Sequence, residues 1–326
     1  MGAFYLHISY TKCILNVSNY MEILSSCPTR ISLLGGGTDI KSYRDTHGGL
    51  VLGMAINIRQ HFRLTDENEV IEYPQCASEE FYKFVLRELG MPKNIGFGTY
   101  FDGPIESGLG SSAAATCAII GAVHKYQGKQ IDKTEIAELA YDIEVNRMGM
   151  FGGIQDQYHC SLGGVNLIYL KEKTDIIKLP PNFIQPLLPY LVMIYLGFNR
   201  KSPSIQDKFR ELTPRQVTAL DNIKQLTEEG IKLLDKKKIE DFGELMDEVW
   251  TQKKLSNSGT TNLFIDDIYF RARQVGAWGG KILGAGGGGH MLFVCPPRYQ
   301  KRLIKELDLP VVDFSLDWTG LDVRKI

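Results

Sequence analysis

The sequence predicts a mixed α+β protein of two domains, and three observations carry that prediction. The 326 residues, 44% of them hydrophobic, supply a large core and divide more naturally into two domains than one. Strand-like and helix-like stretches mix in both halves, with no internal repeat and no low-complexity segment. The tract Leu179-Pro180-Pro181, with Pro186 and Pro189 after it, is the best candidate linker. The expected domains are residues 21–185 and 186–326, with residues 1–20 set apart as an extension.

That extension mixes Phe4, Tyr5, Ile8 and Tyr10 with His7 and Lys12. It lacks the basic start and clean apolar centre of a signal peptide, and Met21 stands where a start codon would. Ile31, Leu33 and Leu34 then form a short strand that stops at Gly35-Gly36-Gly37-Thr38-Asp39. Leu50–Ile58 and Gln60–Leu64 read as two further strands, followed by a turn at Asp66-Glu67-Asn68. Ser78–Leu89 has helical spacing, and Gly98–Phe101 reads as a strand.

That strand runs into Gly103–Ala115, a glycine-bearing loop continuous with an apolar helix ending near Tyr126. Gly108 and Gly110 permit close approaches that a Cβ forbids, and Ser111 and Ser112 suit the first turn of a helix. Unpaired first-turn N–H groups and the positive end of the helix dipole make a cradle for phosphate. An ordinary helix-entry turn would use the same residue types.

A cap-like Asp132-Lys133-Thr134-Glu135 opens the next helix, whose Ile136, Leu139, Ala140 and Ile143 mark a buried face. At ~100° per residue Glu144 falls on the flank of that face, aimed inward as a ligand or paired with Arg147 three residues on. The helix ends near Gly149, and Gly152-Gly153 leads into Ile154-Gln155-Asp156-Gln157. Val165–Leu170 and Leu191–Leu196 read as strands. Helices are expected near 214–235, 239–255 and 266–276, and a last strand at His290–Cys295.

Formal net charge is −1 without a long single-sign run, which gives no reason to expect a nucleic-acid or membrane-surface binder. Six cysteines without a CxxC pair read as reduced, mostly buried thiols, and no apolar run is long enough to span a bilayer. A cytoplasmic protein is expected.

Two glycine patterns are decoys. Gly284-x-Gly286-x-x-Gly289 has dinucleotide-fingerprint spacing, but the strand-like His290–Val294 follows it where that motif needs a helix. Gly279-Gly280-Lys281 looks like part of a Walker A loop, yet Ile282 stands where Ser or Thr must be. What remains is three glycine clusters, at 35–37, 108–110 and 284–289, each bordering an ordered element.

In order and separation these clusters resemble the signature motifs of the GHMP kinases. They are Pro28-Thr29-Arg30 with Gly35–Asp39, then Gly108-Leu109-Gly110-Ser111-Ser112-Ala113, then Lys281–Gly289, and the likeness runs from about residue 22 onward. Within that family Gly35–Asp39, Gly152–Tyr158 and Gly276–Gly289 resemble the D-glycero-D-manno-heptose 7-phosphate kinases. The resemblance implies a two-domain fold, with an N-terminal domain like ribosomal protein S5 domain 2 and a ferredoxin-like C-terminal domain.

It also implies roles. The Ser107, Gly108, Leu109, Gly110, Ser111 and Ser112 backbone would hold the ATP phosphates, and Ser112 with Glu144 would hold Mg²⁺. Asp156 would take the proton of the attacking hydroxyl or orient it, and Arg30 would stabilise charge near the transferring group. Thr38 and Asp39 would bind sugar hydroxyls, while Gly284, Ala285, Gly286 and Gly287 would close over the substrate. Blander readings make Asp156 and Thr38-Asp39 turn residues and Arg30 half of a surface ion pair. Arg44, Arg200, Lys201 and Lys208 are candidates to meet a substrate phosphate, and His290 reads as structural. The expected activity is ATP-dependent phosphorylation of a small phosphosugar; another sugar 1-kinase, fucokinase-like, and a non-catalytic sugar sensor are the alternatives.

Overall fold

The computed structural model describes residues 21–66, 70–71, 77–104, 108–130, 132–197 and 211–326. The extension at 1–20 and the candidate phosphate cations Arg200, Lys201 and Lys208 lie outside these residues, as does Ser107. Strands β1 (Glu22–Leu34) and β2 (Gly49–Thr65) run antiparallel along nearly their whole length and form the spine of a seven-stranded sheet. Two apolar runs were expected where β2 forms one strand. The break is a bulge: Pro28 pairs with Arg59 but Thr29 pairs with Ile56, so two residues of β2 are extra. Thr29 Oγ1 satisfies the bulged Ile58 carbonyl at 2.8 Å, and Pro28, which has no N–H to give, sits beside the irregularity.

The other edge of β2 is shared. Its C-terminal half pairs with β4 (Gly96–Phe101), which also pairs with β3 (Val70–Ile71). Its N-terminal half pairs with β5 (Val165–Leu170), and β5 with β6 (Thr174–Leu179). Helix α3 (Ser111–Tyr126) packs on β1 and β2 and against α2 (Glu79–Glu88), α4 (Lys133–Tyr141) and α5 (Gln155–Leu162), while α1 (Lys41–His47) connects β1 to β2. Ala113 through Val123 of α3 are all buried, as befits a helix apolar on every side.

Asp132 caps α4, accepting from the Thr134 and Glu135 N–H groups at 2.8 and 3.0 Å. The helix then runs into one π-helical turn, Asp142–Arg147. A wider turn rotates each residue less, so Glu144 is carried past the flank position that ordinary helix spacing implies and is buried.

The second domain holds a three-stranded antiparallel sheet in the order β7 (Leu191–Tyr195), β9 (His290–Val294), β8 (Gly279–Ile282). Val311 bridges to the outer side of Ile194. Its helices are the short α6 (Pro181–Ile184), α7 (Pro214–Asp235), α8 (Ile239–Ser256), α9 (Leu263–Gln274) and α10 (Pro297–Leu307). A capping box between Thr213 and Gln216 starts α7, with Pro214 in its first turn. Asn262 caps α9, which therefore starts before the expected Asp266. The loop 284–289 joins antiparallel β8 and β9, the strand-to-strand setting that excludes a dinucleotide fingerprint.

The boundary expected at 185/186 does not separate the sheets. Asp322–Lys325 forms β10, which pairs with β1 and is the outer strand of the first sheet. The segment before it is also bound there: Asn57 in the β2 bulge donates its N–H to the Ser315 carbonyl at 3.0 Å, and Leu316 bridges to Ile56. An open β1 edge and the unpaired groups of a bulge both need partners, and the returning chain supplies them. One core runs between the domains, joining Leu34 and Leu109 of the first with Phe242, Leu283 and Leu292 of the second. Cys27, Cys117, Cys160 and Cys295 are buried free thiols, as expected. Among the described residues no helix is long and apolar enough to cross a membrane.

Candidate active site

Where the domains meet, a cleft of about 220 Å³ is walled by the C-terminal half of β1, the loop 36–40, the start of α3, the π turn, the start of α5, the end of α8 and the loop at 284–285. Arg30 forms its floor. Its Nε and Nη2 donate to the two Asp156 carboxylate oxygens at 2.7 and 2.6 Å, and its Nη1 donates to the Gly108 carbonyl at 2.7 Å. The guanidinium thus couples the expected catalytic carboxylate to the Gly108 loop through one fork of donors. Arg30 is almost wholly buried, whereas the Asp156 side chain is 28% exposed and reaches the cleft from the first turn of α5, where a helix dipole favours a carboxylate. The pair is internal, which sets aside a surface ion pair for Arg30.

Asp39 is buried beside them. It accepts from the Gly37 N–H at 3.0 Å, the Gln155 N–H at 3.2 Å and the Gln155 amide at 2.9 Å. Burial, and then the charge of Asp156, raise its pKa above the ordinary carboxylate value. Gly153 is required here for space, since a Cβ would lie 1.8 Å from Asp39 Oδ2.

Thr38 is not on the cleft wall. Its hydroxyl shares one proton between the Gly35 and Leu50 carbonyls, at 2.8 and 3.0 Å, and accepts from the Leu50 N–H at 3.1 Å, and the residue is fully buried. Backbone groups saturate it, so the expected contact with sugar hydroxyls is corrected: Thr38 holds the glycine turn in shape and leaves Asp39 to face the cleft.

The loop expected to hold phosphates enters α3 through Gly108 and Gly110, both with positive φ. Leu109 between them is a buried anchor, and its carbonyl takes the Arg30 N–H at 2.9 Å. A Cβ on Gly108 would stand 2.6 Å from the Leu283 carbonyl, and one on Gly284 would stand 2.7 Å from the Gly108 Cα. The second and third motifs therefore touch backbone to backbone. Ser111 and Ser112 follow in the first turn of α3, at the positive end of the helix dipole.

Ser112 and Glu144 meet in the cleft as expected. Glu144 accepts from Thr116 Oγ1 at 3.0 Å, from the Gln157 amide and from the Ser112 hydroxyl. Arg147, the alternative partner, pairs with Asp142 at 2.6 Å and Glu88 at 3.6 Å instead. With neutral donors only, burial pushes the Glu144 carboxyl up to about 7, Asp156 adds to the rise, and the three hydrogen bonds oppose it. Among the described residues no group of three His, Cys, Asp or Glu gathers as a metal cage. A buried carboxylate and one hydroxyl beside a phosphate loop fit an ion that takes its remaining ligands from phosphates and water, as Mg²⁺ does.

In the third motif Gly284 and Ala285 line the cleft, but Gly286 and Gly287 do not. Gly286 packs on Thr260, and the Gly287 N–H is spent on the Thr260 carbonyl at 2.9 Å, so these two residues moor the loop. Arg44 donates to the Asp39 carbonyl at 3.2 Å and stacks 4.8 Å over Tyr141, outside the cleft. His290 is buried with its ring 5.0 Å from that of Tyr195, in keeping with a structural role.

Sequence reasoning missed Ser32, Gln155, Gln157 and Lys253 on the cleft wall. Ser32 Oγ, Gln155 Oε1 and Gln157 Oε1 are buried polar atoms without a hydrogen-bond partner. Ser32 was within reach, because residues two apart on a strand share a face and Arg30 was already identified. Lys253 in the last turn of α8 looks like a cation complementing a helix dipole, and nothing in sequence separates it from that role.

Comparison with known proteins gives the same answer from another direction. Residues 75–164 match the GHMP kinases N terminal domain and residues 231–310 the GHMP kinases C terminal domain. The chain is 30% identical, over 93% of its length and 99% of the relative's, to the D-glycero-alpha-D-manno-heptose 7-phosphate kinase of Campylobacter jejuni. It is 31% identical to the mevalonate kinase of Methanothermobacter thermautotrophicus over 59% of this chain and 62% of that one. A crystal structure of a D-glycero-D-manno-heptose 1-phosphate kinase from Bacteriodes thetaiotaomicron superposes with a TM-score of 0.73 at 25% identity, covering 93% of this chain and 99% of that one. The cleft built around Arg30 and Asp156 is thus that of a member of the GHMP kinase family, an ATP-dependent phosphotransferase with an alcohol group as acceptor.

Proposed function

We propose that this kinase transfers the γ-phosphate of ATP to the anomeric C1 hydroxyl of D-glycero-D-manno-heptose 7-phosphate, giving the 1,7-bisphosphate. The observation that carries a sugar acceptor is the polar lining of the cleft: Ser32, Gln155 and Gln157 stand beside Asp39 and the Arg30–Asp156 pair. Neutral hydroxyl and amide side chains beside a carboxylate suit a polyhydroxylated ligand, which both donates and accepts several hydrogen bonds at once. The heptose follows from the relative that matches along nearly its full length.

In this reading Asp156 orients the attacking hydroxyl and accepts its proton as the bond to phosphorus forms. Arg30 fixes that carboxylate and offers positive charge to the group in transfer. Asp39 holds acceptor hydroxyls, and the amides at 108–112 hold the nucleotide phosphates. Ser112 and Glu144 would hold Mg²⁺, which supplies neutralisation of phosphate charge.

The test is ADP release with Mg-ATP and a panel of heptose 7-phosphate, heptose 1-phosphate, mannose 6-phosphate, fucose, galactose and mevalonate. Turnover confined to heptose 7-phosphate is expected. Preference for the 1-phosphate would move the reacting hydroxyl to the other end of the sugar, and preference for mevalonate or a free sugar would discard the heptose. Silence across the panel with ATP still bound would favour a sensor.

A further inference from the structure

We infer that Lys253 is a phosphate receptor of the cleft, the cation that takes an anionic oxygen of a bound substrate. The inference rests on the reading that this cleft accepts phosphorylated ligands, and it concerns a residue that none of the three motifs contains. Lys253 lies in the last turn of α8 and lines the cleft together with Arg30, Asp39, Asp156 and Gly284. Its ammonium donates to the Ile282 carbonyl at 3.0 Å and the Gly284 carbonyl at 2.7 Å. An ammonium has three donors, so one remains. Among the described residues no carboxylate pairs with it.

The surroundings make that third donor a demand. Arg30 on β1 acts on Lys253 from the cleft floor, and buried Lys281 on β8 lies in the field of both. Asp39 and Asp156 oppose them, but Asp156 is already engaged by Arg30 in a bidentate pair and Asp39 by three N–H donors. Burial first, and then the charge of Arg30, bring the Lys253 pKa down to about 8. A half-buried cation with two neutral acceptors and cationic neighbours is stabilised by an anion more than by a hydroxyl. Phosphate has the matching charge, and both substrates of the proposed reaction carry it. The two carbonyls that Lys253 grips flank the Leu283–Gly284 backbone packed on Gly108, so the ammonium is fixed relative to the phosphate loop.

A receptor of this kind binds its ligand with linked proton uptake, because the phosphate restores the charged form. Calorimetric titration of the full chain with ADP, ATP and heptose 7-phosphate, at about pH 8 in two buffers of different ionisation enthalpy, reads that uptake directly. In the wild type the ligand that reaches Lys253 should draw up to about half a proton, and Lys253→Arg, whose charge is fixed, should draw none. Lys253→Met should weaken the same ligand at least tenfold and the others less than about threefold. An effect on ATP but not ADP assigns the γ-phosphate; an effect on heptose 7-phosphate assigns the acceptor phosphate.

The methionine variant leaves the Ile282 and Gly284 carbonyls without a donor, so its melting temperature is measured as well, and the arginine variant decides if it does not fold. Equal proton uptake in wild type and Lys253→Arg for every ligand overturns the inference, as does unchanged affinity in a folded Lys253→Met. If the heptose reading is wrong, heptose 7-phosphate gives neither heat nor turnover, and the nucleotide titrations still decide Lys253. If those too show no difference, the inference falls whatever the acceptor.

Discussion

Replacing Glu144 by glutamine tests a buried carboxyl that has no cationic partner in the cleft. The side chain is 3% exposed, receives only neutral donors, and has its carboxyl lifted by burial from 4.5 to about 7. A carboxyl raised on folding makes the folded state bind more protons than the unfolded chain between those two values. Stability therefore falls as pH rises from 4.5 to about 7, and the loss is complete above that window. The gap corresponds to about 3 kcal/mol, and at this burial little of it is screened. Glutamine keeps the shape and removes the charge. Its N–H₂ would face the Gln157 amide, but Gln157 Oε1 has no partner, so that amide can turn over and accept. Thr116 still donates to the remaining oxygen.

Imperfect refitting of this network takes back about 1 kcal/mol. In urea denaturation with EDTA present, Glu144→Gln should be about 2 kcal/mol more stable than the parent at about pH 8.5, and nearly equal to it at about pH 5. Turnover should fall at least about a hundredfold, since the variant offers a metal an amide in place of a carboxylate. A variant less stable than its parent at both pH values, or a gain that does not grow with pH, would refute the burial argument.

Asp156→Asn should lower kcat about a thousandfold or more while ATP binding, read by calorimetry, stays within about threefold, because Arg30 keeps its bond to the Gly108 carbonyl. More than about a tenth of the parent kcat would remove Asp156 from the chemistry. Thr38→Val deletes a hydroxyl saturated by Gly35 and Leu50, so it should cost about 2 kcal/mol of stability in urea and leave the acceptor KM unchanged. A raised KM without a stability loss would return Thr38 to the sugar site.

Much of the site was legible because its residues sit in runs whose chemistry is local. The phosphate loop reads from its own glycines and serines, and Asp132 announces the helix that brings Glu144 inward. What stayed hidden depends on pairings that sequence does not show. Thr38 and Asp39 are neighbours with equal claims to a ligand, and only the return of β2 through Leu50 turns one into the fold and the other into the cleft. Gly286 and Gly287 read like Gly284 until Thr260, from another loop, takes the Gly287 N–H. The π turn breaks the regular spacing on which the placement of Glu144 was argued, and a local backbone insertion of this kind leaves no periodic trace. Lys253 is polar, helical and near a helix end, as surface lysines are; its hold on the Ile282 and Gly284 carbonyls is a property of the distant loop it meets.

The strand β10 has a consequence for how the molecule is made. Ile23 to Ser26 find their partners at Lys325 to Asp322, about 300 positions away along the chain. A nascent chain leaving the ribosome can assemble β2, α3 and β5 early, yet the flank of β1 stays bare until the whole second domain has been synthesised. Contacts this distant in sequence are slow to form, and an exposed strand flank is a template for association with other chains. Production of this kinase should therefore be most sensitive to chaperone supply and temperature during the last steps of synthesis, when the first-domain residues of the cleft are already made and the sheet beneath them is not yet closed.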